Sequence, residues 1–131
     1  MISTDAFSYI NVLNKAADAS WTRETLIANN IANAQTPGFK RQDLNFESML
    51  KKEISNYKYM NLDQKVNAMD LTKLHADVYT DHAGFSYRLD GNNVDIDTEN
   101  AYLAENQIRY NALVEQIGQE FNRYKTVLTG V

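Results

Sequence analysis

The chain has 131 residues, about one small domain, which leaves no room for two catalytic domains or for a barrel of about 250 residues. Thirteen basic against 17 acidic residues give a net charge of −4, which argues against a general nucleic-acid binder. There is no cysteine, so disulfides, thiolate metal sites and cysteine nucleophiles are excluded.

An apolar share of 44% permits a core, although the mean hydropathy is −0.51. No apolar run approaches the roughly 18 residues that span a bilayer, so direct membrane insertion is not expected. The start Met1-Ile2-Ser3-Thr4-Asp5 shows neither the basic region nor the apolar block of a cleavable secretory signal. Passage out of the cytoplasm would therefore need another route.

The first expected element is a helix over residues 4–33. Ser3 can cap it, Asp5 suits the first turn, and Ile2 can staple onto Phe7. Ile10, Leu13, Ala17, Ile27 and Ile31 recur at spacings of three and four, in a stripe that Ser20 and Glu24 interrupt and that Trp21 adjoins. Thr36-Pro37-Gly38 ends the helix, because proline lacks the amide hydrogen and glycine permits a positive φ.

A shorter helix follows to about Ser55, with Asn45 as its cap, Leu44 and Met49 at staple positions, and Phe46, Met49 and Leu50 as its apolar face. Residues 56–90 lose clear period. Within them Phe85-Ser86-Tyr87-Arg88-Leu89 alternates and ends at Asp90-Gly91, which suggests a short strand or hairpin.

The last helix, over 97–129, is the clearest. Asp97 is its expected cap, Glu99 lies in its first turn, and Ile96 can staple onto Ala101. From Leu103 the positions Gln107, Tyr110, Val114, Ile117, Phe121, Tyr124 and Leu128 form a heptad seam in which only Gln107 is neither apolar nor aromatic. Ala104, Ile108, Leu113 and Val127 widen it, and Gly118 costs about 1 kcal/mol against alanine.

The fold expected is therefore mainly α: two long terminal amphipathic helices pairing as a coiled coil, a short helix after the Thr-Pro-Gly turn, and an irregular or short-β middle. A single domain holds the whole chain, with the turn, short helix and middle over 34–96. Two helices cannot enclose each other's apolar faces, so neighbouring copies are expected to supply what one chain lacks.

Asn29, Asn30 and Asn33 are poor choices inside a helix, because their amides compete for backbone hydrogen bonds. They point to polar bonds across an interface or to the following turn, or else to a fraying helix end. The segment Asn30-Ile31-Ala32-Asn33, followed by Thr36-Pro37-Gly38-Phe39, resembles the N-terminal signature of bacterial flagellar axial proteins. These are the rod, hook and hook-associated subunits. Asp90-Gly91-Asn92-Asn93-Val94-Asp95-Ile96-Asp97, then Leu103-Ala104-Glu105-Asn106-Gln107-Ile108 with Tyr110, and finally Lys125-Thr126-Val127-Leu128-Thr129-Gly130, are similar to proximal rod subunits of the FlgB type. The matching blocks cover both terminal thirds, and the short length suits a rod subunit without inserted domains.

The resemblance implies a structural subunit of the basal-body rod, with no cofactor. Its implied partners are other copies of itself, other rod subunits, the membrane-ring/rod adaptor and the flagellar type III export apparatus. It implies a place beyond the inner membrane, reached by flagellar export. The residues expected to carry assembly are Ile27, Ile31, Tyr110, Val114, Ile117, Phe121, Tyr124 and Leu128. Asn29, Asn30, Asn33, Thr36, Pro37, Gly38 and Phe39 are expected to set the turn. Phe46 and Leu50 resemble a recognition element of early export substrates, although the same spacing serves ordinary packing.

Other chemistry fits poorly. The acidic run Asp90–Glu99 places Val94 at a calcium-ligand position and Asp95 where an EF-hand needs glycine. His75 and His82 have no third ligand, and neither a phosphate loop nor a nucleophile elbow is present. An enzyme is not expected. The competing reading is a cytoplasmic helical adaptor or export chaperone that binds a partner helix in a groove.

Overall fold

In the computed structural model, residues 7–82 and 88–130 are described. The elements in order are α1 (Ser8–Ala32), β1 (Gln42–Leu44), α2 (Phe46–Ser55), α3 (Leu62–Ala68), a single 3₁₀ turn at Leu71–Lys73, β2 (Val78–Thr80) and α4 (Ile96–Thr129). Ser3, Asp5 and Ile2, expected to open the first helix, lie outside the described residues.

The two terminal helices run antiparallel. Asn30 lies beside Glu99, Ser20 beside Asn106, and Phe7 beside Tyr124 with ring centroids 4.9 Å apart. The middle folds across α1: Leu44, Phe46, Met69 and Leu74 pack with Ala19 into a buried core, joined by Val12, Ala16, Leu26, Leu50 and Ile54. The apolar faces of α1 and α2 are thus largely covered within one chain. α3 begins with a capping box between Asn61 and Gln64, and the Tyr9 hydroxyl donates to Asp63 beside it. That bond to a carboxylate pushes the Tyr9 pKa up to about 12.

Among the described residues the β structure is a two-stranded antiparallel sheet pairing Gln42 with Thr80, Asp43 with Tyr79 and Leu44 with Val78. Of the strand or hairpin expected over 85–89, residues 85–87 lie outside the described residues, while Arg88 and Leu89 lead into a turn, where the Gly91 amide donates to the Arg88 carbonyl at 3.1 Å.

Two caps differ from expectation. Asp95 caps α4, its carboxylate accepting from the amides of Asp97 and Thr98. Ile96 and Ala101, expected to staple, are both exposed. At α2, Asn45 is the cap residue but its side chain makes no capping bond; it accepts from the Ser48 hydroxyl instead.

The seam of α4 is also rotated. The line facing α1 runs Glu99, Leu103, Asn106, Tyr110, Leu113, Ile117, Glu120 and Tyr124, alternately three and four apart and all buried or half-buried. It shares Leu103, Tyr110, Ile117 and Tyr124 with the apolar heptad but takes Asn106, Leu113 and Glu120 in place of Gln107, Val114 and Phe121. At Asn106 the reason is that a polar side chain meets a polar partner inside the pair. Asn106 Nδ2 donates to the Ser20 carbonyl at 2.8 Å. The Ser20–Glu24 interruption in α1 accordingly faces α4, with Glu24 accepting from Gln107 at 3.4 Å.

Candidate assembly site

The two signature blocks form one clasp where α1 ends and α4 begins. Asn30 is fully buried, and its amide pairs with both backbone groups of Gln42. Nδ2 donates to the carbonyl at 2.8 Å, and Oδ1 accepts from the amide at 2.9 Å. Nδ2 also donates to Glu99 Oε2 at 3.2 Å. One helical asparagine therefore joins α1, β1 and α4.

Asn92, likewise fully buried, donates through Nδ2 to the carbonyls of Asn33 at 2.8 Å, Ala34 at 3.1 Å and Thr36 at 2.8 Å. It thereby satisfies acceptors that the end of α1 leaves open. Asn33 donates to the Asn29 carbonyl at 2.8 Å and accepts from the Thr36 hydroxyl at 3.1 Å. Gly38, at φ 73°, passes close to Gly91, at φ 77°, and its amide donates to the Asp90 carbonyl at 2.7 Å. Phe39 accepts from the Asn93 amide at 3.3 Å. Pro37 sits exposed in the turn. The acidic run once compared with a calcium loop is thus used in turn and cap bonds, and no group of three or more metal-ligating side chains occurs among the described residues.

Arg41 anchors the clasp. Its guanidinium donates to Glu99 at 2.5 Å, Asp81 at 3.1 Å and Asp43 at 3.2 Å, and it lies 5.4 Å from the Tyr102 ring centroid. Burial works against the charge, but the bonds to Glu99, Asp81 and Asp43 outweigh it and raise the pKa of Arg41. From Asp43 the charges continue in alternation. Arg23 holds Asp43 at 3.3 Å and grips Glu47 with two bonds of 2.6 and 2.7 Å. Arg109 of α4 reaches the same Glu47, and also Glu105 at 2.9 Å. The Arg23 bond holds the Glu47 carboxyl below its ordinary range. This ladder closes one edge of the helix pair. Its members come from four separate elements, so only spatial proximity reveals it.

The opposite edge is open. Trp21 is 63% exposed, with the Tyr110 ring at a centroid distance of 6.0 Å. Val114 and Phe121 are 47% and 48% exposed. Leu128, near the end of α4, is also exposed, while Ile31, Tyr110, Ile117 and Tyr124 are half-buried. Ile27 is buried within the single chain. Phe46 is buried in the core with Leu50 packed on it, so that pair is covered in the folded protein.

No described helix is long and apolar enough to cross a membrane. A family model described as "Flagella basal body rod protein" matches residues 25–40, the stretch holding the three asparagines and the Pro37–Gly38 turn, and defines the class as flagellar rod proteins. The chain is 38% identical over 122 residues to the flagellar basal body rod protein FlgB of Bacillus subtilis (strain 168), covering 92% of this chain and 93% of that protein. It is 32% identical over 118 residues to FlgB of Salmonella typhimurium, covering 82% and 83%. Against FlgB of Escherichia coli (strain K12) it is 31% identical over 120 residues, covering 81% and 82%. The chain belongs to the FlgB family of flagellar basal body rod proteins and is a structural subunit of the rod. That membership, more than the helical pattern, decides between a rod subunit and a helical adaptor.

Proposed function

We propose that this rod subunit assembles through the open edge of its helix pair, where Trp21, Val114, Phe121 and Leu128 receive helices of neighbouring subunits. The carrying observation is the asymmetry of the two edges: the Arg23–Glu47–Arg109 ladder seals one, and half-exposed apolar side chains occupy the other. Burying such a stripe between subunits removes apolar area from water and drives association. The partners are its own copies, other rod subunits and the membrane-ring/rod adaptor. The chain reaches its place beyond the inner membrane through the flagellar type III apparatus. Phe46 and Leu50 act in that step while the chain is unfolded, since folding buries Phe46.

Phe121→Asp tests the assembly reading. An aspartate at a half-exposed position leaves the single chain folded, yet buries an unpaired charge in the assembled rod. The variant is expected to be exported, to melt near the wild-type temperature, and to abolish rods and swimming. A motile Phe121→Asp strain refutes it. For export, Phe46→Ala should lower secretion of the unfolded chain; secretion at the wild-type level refutes that role.

A further inference from the structure

We infer that the turn between α2 and α3 docks on the outward ridge of α4 in a second copy of this chain, an inference that rests on the rod-subunit reading above. Tyr59 at that turn is 100% exposed, with Met60 and Leu62 exposed beside it. The turn is firmly built. The Tyr57 hydroxyl donates to the Ala68 carbonyl at 2.9 Å, the Met60 amide donates to the Tyr57 carbonyl at 3.3 Å, and the Asn61–Gln64 capping box starts the next helix. An aromatic side chain held out on a fixed turn loses little freedom on binding, which is the property of an interface anchor.

Charge selects the occupant. Lys51, Lys52 and Lys58 are exposed around this turn, while Glu53 is buried and Asp63 is bonded to Tyr9. Three exposed lysines against the one exposed acid, Asp63, leave the exposed charge of the turn net positive. Residues 51–65 carry four lysines against Glu53 and Asp63, so the remainder of a chain of net charge −4 stands at −6. A second copy therefore offers the acidic surface that the turn requires.

The ridge of α4 facing away from α1 has matching chemistry. Ile108 is 72% exposed, with exposed Ala101, Ala104 and Ala112 about it, and exposed Asp97 and Glu115 at either end. Small residues leave room for Tyr59, Met60 and Leu62 against Ile108, and the two acids meet the lysines. Turn and ridge are different surfaces, so the contact is heterologous. Repeated without closure, such a contact generates a helical array.

The test is a charge exchange. Lys51→Glu with Lys58→Glu, and separately Asp97→Lys with Glu115→Lys, are introduced into the full chain. Each purified variant is melted to show that it folds. Each pair of substitutions is expected to abolish swimming and rods in purified basal bodies, and the four together are expected to restore both. Normal rods in either pair of substitutions overturn the contact. Loss in both without restoration in the four-fold variant also overturns it, because the lysines then face a different protein. Phe121→Asp run alongside keeps the two readings apart. Rods lost there but kept in the charge variants leave the rod-packing reading standing and remove this contact.

Discussion

The amide of Asn30 pairs with the backbone of Gln42 through both of its atoms, at 2.8 and 2.9 Å, so a helical side chain occupies the outer edge of β1 as a neighbouring strand would. The adjoining Leu44 carbonyl accepts from Arg23 at 2.9 Å, and that edge is closed to further pairing. Asn30→Ala leaves the Gln42 amide and carbonyl unsatisfied and removes a donor from Glu99. Each such group costs about 1–3 kcal/mol, and we expect a loss of about 3 kcal/mol in urea unfolding. Asn30→Asp should be at least as damaging, because its carboxylate accepts from Gln42 but cannot donate and faces Glu99. A melt of Asn30→Ala indistinguishable from wild type contradicts the account.

Arg41 and Glu99 form a pair whose acid is only 1% exposed. Removing one member of a buried pair costs about 3–5 kcal/mol, whereas replacing both with apolar groups is often neutral. Arg41→Met alone should therefore destabilise strongly, since Glu99 retains only Asn30. Adding Glu99→Met should recover part of the loss. Chemical denaturation of the two single variants and the double variant measures the coupling, and a double variant as unstable as the sum of the singles contradicts it.

The elements were legible where one period runs unbroken. The last helix, expected over 97–129, spans 96–129, and the short helix reaches Ser55 as expected. The seam was only half legible. Counting apolar residues selected Val114 and Phe121, because Asn106 and Glu120 are polar; Asn106 finds its partner in the Ser20 carbonyl of α1 opposite, and Glu120 accepts from Arg123 of its own helix. Asn30, Asn33 and the Pro37–Gly38 turn were readable as a group from their poor helix propensity. Arg41 was not: in sequence it is half of a basic pair with Lys40, and Asp43, Asp81 and Glu99 are collected only by folding. Short β structure in the middle was expected, but its strands at 42–44 and 78–80 were not located, because each has three residues, too few for alternation to register.

Glu47 links stability to pH. Its carboxyl is held below the ordinary value of 4.5, chiefly by the bond from Arg23 and with attraction to Arg109. A depressed folded-state pKa contributes stability that is present above the unfolded value and lost as pH falls through the folded one. Wild type should therefore lose stability as pH drops below about 4.5, and Glu47→Gln should be less stable at pH 7 with a shallower acid dependence. The side chain is 52% exposed, so solvent screening keeps the difference small. Melting temperatures of both proteins between pH 3 and 7 decide the matter; parallel curves remove Glu47 from the acid response.

Asn106 should trade stability for alignment. It is buried in the seam with Nδ2 on the Ser20 carbonyl, while its Oδ1 accepts no hydrogen bond. An unsatisfied buried acceptor costs about 1–3 kcal/mol, and Ser20 as a helical carbonyl retains its place in the α1 ladder. Asn106→Leu is therefore expected to raise the melting temperature by several degrees. A polar residue at one core position of a coiled coil also fixes register, because sliding would bury it without its partner. The leucine variant should accordingly pair α1 and α4 in more than one register. The chain has no cysteine, so spin labels can be attached to cysteines introduced at exposed Asp18 and Asn111. Distances between them should be narrowly distributed in wild type and broadened in Asn106→Leu. A variant that is more stable and equally narrow would show that register is set by the Asn30–Gln42 and Arg41–Glu99 contacts alone.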